Sequence, residues 1–284
     1  MDWRFKCAAF YALSHAPRGL YSLLQRRVTG RYFFNVTDTE FAAYDYHVRN
    51  FRKIARPANA LEFGAGSHLL TALLLSAAGA TEVLTYDIDR KVTIEQVNHV
   101  IRQLRSRAVP GEWRELQDLN DLLRFYRIRY CAPGDARNTG LRASSVDFFC
   151  STSTLEHIPV TEIDRIFNEC ARIATGRARW SHIIDYHDHY ASSDPSITRF
   201  NFFRYSAKQW QRFNPSSHSQ NRLRHSDFLE LFKRHGLEPI EEHVTFTHES
   251  LPFVPHAEFS RYSRDDLQAL NGLFCLKASN HSQE

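Results

Sequence analysis

The feature that most constrains the fold is a regular alternation of short apolar runs and helical stretches, which begins at residue 60. Short runs rich in β-branched and aromatic residues predict strands, and the longer amphipathic stretches between them predict helices. The predicted strands are 60–63, 82–86, 127–131, 146–150, 179–186, 237–247 and 272–277, and the predicted helices are 69–78, 92–105, 161–174 and 226–235. Such an alternation builds right-handed βαβ units. The sequence therefore predicts a doubly wound α/β fold around a mainly parallel sheet.

The first 56 residues fall outside this alternation. Residues 1–56 carry apolar and basic side chains at helical spacing, which predicts a helical extension. A second helix is expected to begin at Thr37 or the next residue, where a capping side chain precedes a glutamate. We expect the extension to pack against the rest of the protein. The alternatives are that it covers a cofactor, or that Trp3, Phe5 and Phe10 make weak contact with a membrane surface.

The remainder, residues 57–284, reads as one domain with a long insert. The segment at about 190–225 is irregular and rich in Arg, Asn, Phe and Ser. Loops of this length inside a compact domain are usually functional. We therefore expect this segment to form a lid over the substrate.

Composition and charge exclude several classes of protein. Hydrophobic residues make up 43% and charged residues 24% of the chain, which is typical of a globular protein. A net charge of +4 is too small for the basic stripe of a general nucleic-acid-binding protein. No run approaches the roughly 20 apolar residues that a transmembrane helix needs. Five scattered cysteines fit reduced thiols, so we expect a cytoplasmic protein, whose oligomeric state the sequence leaves open.

A glycine turn follows the first predicted strand. Gly64 and Gly66 permit a tight turn whose backbone can lie against a ligand, at the strand end where nucleotide-like ligands bind. The carboxylate of Glu62 would repel a pyrophosphate, so it favours a cofactor with a cationic amino group. Asp87 ends the next strand about twenty residues later, where an acidic residue binds ribose hydroxyls in such folds.

Further motifs follow in a fixed order. Gly134-Asp135-Ala136 comes after the third predicted strand, and the fourth strand leads through Ser151 and Ser153 into Leu155-Glu-His157. In this order and spacing, the motifs from about residue 58 to residue 190 resemble those of class I S-adenosylmethionine-dependent methyltransferases. The resemblance implies a Rossmann-like sheet of seven strands, mostly parallel, with the last strand inserted antiparallel.

The same resemblance implies S-adenosylmethionine as cofactor and assigns its contacts. The implied cofactor-binding residues are Glu62, Gly64, Ala65 and Gly66 at the methionine end, Asp87 at the ribose, Ile88, Asp135 and Ala136 at the adenine, and Ser151 and Ser153 beside the sulfur. His68 departs from the pattern, because many members carry a third glycine at that position. That glycine serves helix packing, so the departure bears on the angle of the following helix and not on the cofactor.

A run of Asp and His residues ends the fifth predicted strand. Methyl transfer to a hydroxyl requires removal of a proton, and histidine titrates near working pH. We therefore expect His189 to be the general base, with His157 or Asp188 as alternatives. Such a run could also bind a metal, but its spacing defines no ligand set, so no metal is predicted.

Polar residues after the fifth strand are candidates for binding the acceptor. The candidates are Asp185, His187, Asn201, Arg204, Arg222 and Arg224. Arginine suits bidentate pairing with a carboxylate or phosphate. The motifs around these residues resemble a bacterial group of methyltransferases associated with sugar or polysaccharide modification.

This second resemblance implies O-methylation of a hydroxyl on a small or terminal polar acceptor, such as an acidic sugar of a bacterial polysaccharide. The alternatives are a nucleic-acid or protein methyltransferase, or a cofactor-binding scaffold without activity. No Asn-Pro-Pro-Tyr type of motif follows the fourth strand, which speaks against methylation of an amide or exocyclic amine.

Overall fold

A seven-stranded sheet forms the core of the computed structural model, which describes residues 2–15, 35–249 and 251–279. The strands are β1 Asn59–Phe63, β2 Glu82–Tyr86, β3 Ile128–Cys131, β4 Val146–Thr152, β5 Ala174–Asp185, β6 Leu237–Phe246 and β7 Ala269–Ala278. Their order is β3-β2-β1-β4-β5-β7-β6. β7 pairs antiparallel with both β5 and β6, and the remaining neighbours pair in parallel. The predicted seven-stranded fold with an antiparallel last strand is confirmed.

Helices cover both faces of the sheet. The α-helices are α1 Trp3–Ser14, α2 Asp38–Arg52, α3 Leu70–Ala77, α4 Ile94–Ser106, α5 Asp121–Tyr126, α6 Val160–Ile173, α7 Ala207–Trp210, α8 His225–Arg234 and α9 Arg264–Gln268. Helices α2 to α5 pack on one face in a core that contains Ala60, whereas α6 and α8 pack on the other face with Leu61. Successive strand residues point to opposite faces, so both faces are apolar.

Two helix starts test the predicted capping signals. α2 begins after Thr37, whose hydroxyl accepts a hydrogen bond from the Glu40 backbone N–H in a capping box, as the sequence indicates. The predicted start of the helix at 226–235 is off by one residue. α8 begins one residue earlier, because the Asp227 carboxylate accepts a hydrogen bond from the Arg224 backbone N–H at 2.7 Å.

Helix α1 packs on the irregular insert and not on the sheet. Trp3 is 2% exposed, and its backbone N–H donates to the Asp194 carboxylate at 2.8 Å. The ring of Phe10 stacks on His218 with centroids 4.3 Å apart. Of the three aromatic residues considered for membrane contact, only Phe5 is largely exposed, at 74%. A contact of α1 with a membrane surface would therefore lack two of its three anchors.

The insert between β5 and α8 is built from short helical turns. Turns at Asn201–Arg204, Gln211–Phe213 and Ser216–His218 surround an aromatic cluster that includes Phe203 and Trp210. None of the helices among the described residues is both long and apolar enough to cross a membrane. The predicted helical residues near 20–24 lie outside the described part of the chain.

Candidate functional site

A cavity of about 780 Å³ opens at the carboxyl ends of β1, β2 and β4. Parallel sheets bind their ligands at this edge, and the volume suits a small-molecule site. Residues 13–14 of α1 and 216–219 of the insert line it on the side away from the strands. The extension and the insert therefore both contribute walls to the site.

The turn after β1 brings its backbone against the next strands. Gly64 has a φ of +83°, and its N–H donates to the Tyr86 carbonyl at 2.9 Å. A Cβ at Gly64 would lie 2.1 Å from the hydroxyl oxygen of Thr154, so only glycine fits there. Gly66 has a φ of +63°, and no atom lies within 4 Å of the position that a Cβ would occupy there. Gly64, Ala65 and Gly66 all line the cavity, as the sequence predicts.

Two carboxylates face the cavity from β1 and β2. Glu62 is 3% exposed and accepts a hydrogen bond from the Thr85 hydroxyl at 2.8 Å. Burial raises the pKa of Glu62 to about 7, and the nearby charge of Asp87 adds to this rise. Asp87 accepts a hydrogen bond from the Gly66 N–H at 3.1 Å, and the Lys91 ammonium lies 3.7 Å away. A cationic group bound beside Glu62 would favour its ionised form.

The residues that the resemblance assigns to the adenine also line the cavity. Ile88 is 74% exposed, which leaves an apolar side chain available to a flat ring. Ala136 lies opposite, next to Asp135. The Arg137 guanidinium makes two hydrogen bonds of 2.8 Å to Asp135 and lowers the pKa of that carboxyl. Asp135 therefore meets the cavity as an ionised, arginine-paired side chain.

Only one of the two predicted serines lies at the cavity. Ser153 lines it, with a φ of +44° that few residues other than glycine adopt. Ser151 is not among the residues that line the cavity, so its contact with the cofactor stays a prediction. Its hydroxyl is fully buried and hydrogen bonds to His182 Nδ1 at 2.8 Å, inside the sheet. In a continuous strand, residues 151 and 153 would lie on the same face. β4 ends at Thr152, so Ser153 is no longer bound by this alternation and reaches a different surface.

A pair of histidines stands beside the end of β4. His157 lines the cavity, and its Nδ1 lies 2.7 Å from the Ser219 carbonyl. The His189 ring lies behind it, with centroids 4.7 Å apart. Burial lowers the pKa of His157, and the neighbouring His189 lowers it further. A neutral imidazole is therefore available at the cavity wall.

Asp185 and His187 lie behind this pair. Asp185 is 2.9 Å from His187 Nδ1 and 3.5 Å from His189 Nε2. Burial alone would raise the pKa of Asp185, but the close His187 imidazole and the nearby His189 imidazole hold it well below its usual range. Neither Asp185 nor His187 belongs to the cavity lining, so their contact with the acceptor stays a prediction.

Asp188 and Asn201 hold the insert in place. Asp188 is fully buried, accepts a hydrogen bond from the Tyr190 N–H at 2.9 Å and lies 3.4 Å from the Asn201 amide. Burial raises the pKa of Asp188 to about 6. Neither side chain is among the residues that line the cavity, so the roles of Asp188 as a base and of Asn201 as an acceptor ligand stay predictions.

The predicted arginines also face away from the cavity. Arg224 is fully buried and donates to three backbone carbonyl groups at 2.7 to 2.9 Å. Arg222 donates to the Phe202 carbonyl at 3.2 Å, and Arg204 lies over the ring of Phe253 at 4.4 Å. The guanidinium groups therefore satisfy backbone carbonyls and cover aromatic rings. None of the three lines the cavity, so their binding of the acceptor stays a prediction.

Comparisons with known proteins agree with this geometry. Residues 61–177 match the family described as a methyltransferase domain. A methyltransferase from Methanosarcina mazei described as SAM-dependent is similar in structure, with a TM-score of 0.50 and 14% identity over 87% of this chain and 99% of that chain. No curated protein sequence matches the chain.

A second structure of similar fold contains the demethylated cofactor. It is the 1,6-didemethyltoxoflavin-N1-methyltransferase of Burkholderia thailandensis, with bound S-adenosylhomocysteine, a TM-score of 0.50 and 14% identity over 93% of this chain and 92% of that chain. Residues 61–177 form a methyltransferase domain, and its cofactor is S-adenosylmethionine. At these identities, the two structures establish the fold alone. The assignment of a methyltransferase domain rests on the family match over residues 61–177.

The methyltransferase also has cavity residues that the sequence does not reveal. His68, noted only as a departure from the glycine pattern, lines the cavity together with Tyr44, and their rings meet edge to face at 6.1 Å. Burial lowers the pKa of His68 to about 4. Thr154 and His218 also line the cavity. Tyr44 and His218 reach it from the extension and the insert, so nothing in their local sequence marks them.

Proposed function

We propose that this methyltransferase transfers a methyl group to a hydroxyl of a small polar acceptor, such as a sugar unit. The observation that carries the proposal is the His157–His189 pair at the end of β4, where a neutral imidazole reaches the cavity beside Ser153. A hydroxyl must lose its proton as its oxygen attacks the methyl group, and an imidazole in hydrogen-bond reach can accept that proton.

The same proposal assigns the residues that hold the cofactor. Glu62 would bind the amino group of the methionine part, against the backbone of the turn 64–66. Asp87 would accept hydrogen bonds from the ribose hydroxyls in place of the one it now accepts from the Gly66 N–H. Ile88 and Ala136 would enclose the adenine, with Asp135 at its edge. S-adenosylmethionine supplies an activated methyl group, so the chain has to position the acceptor and take up its proton.

The geometry supports His157 as the histidine that contacts the acceptor, whereas the sequence predicts His189 for this role. His157 lines the cavity, whereas His189 lies behind it. We therefore assign direct contact with the acceptor hydroxyl to His157 and a supporting position to His189. Asp185, 3.5 Å from His189, would stabilise the positive charge that the pair gains with the proton.

The walls of the cavity favour a small acceptor. Residues 13–14 and 216–219 stand opposite the strand ends, so a large folded substrate would have to displace both α1 and the insert. Three of the four residues in 216–219 are serines, which can hydrogen bond to a polyhydroxylated molecule. The predicted acidic substituent on the acceptor is less favoured, because the three arginines expected to pair with it, Arg204, Arg222 and Arg224, face away from the cavity. A neutral sugar hydroxyl is the acceptor that fits these observations best.

A matched panel of acceptors tests this proposal. Methyl transfer from radiolabelled S-adenosylmethionine is measured to a neutral hexoside, the corresponding aminohexoside and the corresponding hexuronoside. We expect O-methylation of the neutral sugar, with no gain in kcat/KM for the uronoside. Methylation of the amino group alone, or transfer only to RNA or protein, would contradict it. His157→Asn should lower kcat at least tenfold with unchanged affinity for S-adenosylhomocysteine, whereas the exposed substitution Lys277→Gln should change neither.

A further inference from the structure

Three potential metal ligands converge beside the acceptor end of the cavity. Glu156, His157 and His189 each offer one donor atom, and these atoms all lie within 4.8 Å of one another. Glu156 and His157 are neighbours in the short turn after β4, and His189 follows β5. Since β4 and β5 are adjacent and parallel, their carboxyl ends bring the three residues together.

The carboxylate of this cluster is buried without a partner. Glu156 is 2% exposed, and within residues 2–15, 35–249 and 251–279 neither of its carboxylate oxygens has a hydrogen-bond partner. A buried carboxylate without a partner is strongly disfavoured in its ionised form. A bound cation would remove this penalty.

The two imidazoles are arranged as metal-ligating histidines commonly are. His157 Nδ1 is paired with the Ser219 carbonyl at 2.7 Å, which fixes the ring and leaves Nε2 to bind a ligand. His189 Nε2 is buried without a hydrogen bond among the described residues and lies 3.5 Å from an Asp185 oxygen. A buried nitrogen without a hydrogen bond gains from a bound cation, and the Asp185 carboxylate beside it adds negative charge at the site.

We propose that Glu156, His157 and His189 bind one divalent first-row transition-metal ion. Two imidazoles and one carboxylate form a ligand set with open coordination positions, which suits iron, manganese, cobalt or zinc. Glu156 and Asp185 together carry the two negative charges that balance such an ion. His157 lines the cavity, so the ion has a route of entry and an open side facing the acceptor.

The ion would change how the acceptor loses its proton. A divalent cation beside a hydroxyl lowers the pKa of that hydroxyl, so its proton would pass to solvent water, while His157 would act as a ligand and not as the proton acceptor. This role rests on the proposed methyl transfer to a hydroxyl, whereas metal binding itself does not. The test therefore measures binding in the absence of S-adenosylmethionine.

The experiment titrates Co²⁺ into the full-length protein after treatment with a chelator. We expect one equivalent to bind, with visible absorption bands from coordinated Co²⁺ and a matching heat in calorimetry. Glu156→Gln keeps the shape of the side chain and should weaken binding at least tenfold. His189→Asn provides a second variant if the first does not fold, as judged by circular dichroism. His243→Asn, on the exposed strand β6, serves as the control and should bind like the wild type.

Each outcome decides the proposal. Stoichiometric Co²⁺ binding that both cluster variants lose and the control retains supports it. Wild-type protein without saturable binding below about 1 mM, or Glu156→Gln and His189→Asn that bind like the wild type, would overturn it. A chelator-treated protein that binds no Co²⁺ yet methylates a sugar hydroxyl would remove the metal and leave the proposed function standing. Metal binding without any hydroxyl methylation would support the metal site and contradict the proposed function.

Discussion

At the scale of single residues, the tightest steric constraint in the site is the close approach of the Thr154 side chain to the backbone of Gly64. A methyl group at Gly64 would lie 2.1 Å from the Thr154 hydroxyl oxygen and would also strain a backbone with a φ of +83°. We expect Gly64→Ala to lower the free energy of unfolding by more than about 2 kcal/mol and to abolish measurable cofactor binding. Urea denaturation and calorimetry with S-adenosylhomocysteine would measure the two effects.

Gly66 supplies a matched control. Its φ of +63° imposes a similar backbone cost, but nothing lies within 4 Å of an added Cβ. Gly66→Ala should therefore cost only about 1 kcal/mol. Adding Thr154→Ala to Gly64→Ala removes the two nearest colliding atoms and should recover part of the lost stability. Equal losses for the two glycine variants, or no recovery in the double variant, would show that the collision is not the cause.

The residues that the sequence could place share one property, which is that they follow a strand directly. Gly64, Gly66 and Asp87 lie at the cavity because a parallel sheet brings its strand ends to one edge. Arg224 and Asp188 have equally suggestive chemistry, but both lie in or beside the irregular insert. Where no periodicity fixes the direction of a side chain, its residue type alone does not tell whether it faces a ligand or a backbone carbonyl.

At the scale of elements, the order of strands and helices follows from hydrophobic periodicity, but strand lengths do not. The sequence predicts β5 from residue 179, whereas the strand begins at Ala174, because its first residue pairs with Val146 directly after α6 ends. The exposed residues in its first half lack the apolar pattern of a buried strand. The position of α1 could not be predicted either, since its partners lie about 190 residues later in the chain, in the contact from Trp3 to Asp194.

Helix α1 is an element whose packing can be tested separately from the sheet. Trp3 fills a pocket between Tyr190, Tyr205 and Phe213, with centroid distances of 4.8 to 6.2 Å. Trp3→Ala should weaken the packing of α1 by about 3–5 kcal/mol. Because residues 13–14 line the cavity, we expect a raised KM for the acceptor, faster hydrogen exchange in α1 and nearly unchanged binding of S-adenosylhomocysteine.

Phe5 provides the comparison within the same helix. Its side chain is 74% exposed, so Phe5→Ala should change stability by less than about 0.5 kcal/mol and leave both exchange and KM unaltered. If Trp3→Ala left the acceptor KM at the wild-type value while hydrogen exchange showed α1 released, the helix would be a packing element with no part in the acceptor site.

At the scale of the whole molecule, the methyltransferase buries polar groups in the middle of its sheet. His47 of α2 is fully buried and lies 2.8 Å from the Ser181 hydroxyl and 3.0 Å from the Thr152 hydroxyl. His182 of β5, also buried, lies 2.8 Å from the Ser151 hydroxyl. Burial lowers the pKa of each histidine to about 3, so both are neutral in the folded protein. The folded state therefore depends on these imidazoles staying unprotonated.

This dependence predicts how stability varies with pH. Below its ordinary pKa of 6.5, His47 takes up a proton in the unfolded chain, but in the folded protein it does so only near pH 3. The unfolded state binds more protons in this interval, so the contribution of His47 is fully present above pH 6.5 and is lost as the pH falls toward 3. The loss approaches about 1.4 kcal/mol per pH unit. Glu62, with its pKa raised to about 7, acts in the opposite sense between pH 4.5 and 7.

A difference between two proteins isolates His47 from these opposing groups. His47→Gln can keep hydrogen bonds to Ser181 and Thr152 but cannot be protonated. The stability advantage of the wild type over this variant should shrink by about 1.4 kcal/mol per pH unit between pH 5.5 and 4, measured by urea denaturation. Asn50→Ser alters the same network, through a 3.3 Å contact with Ser181, without removing an ionisable group, so its difference from the wild type should stay constant with pH. A constant difference for His47→Gln as well would mean that His47 titrates alike in the folded and unfolded states, and the burial of its ring would then not be what keeps it neutral.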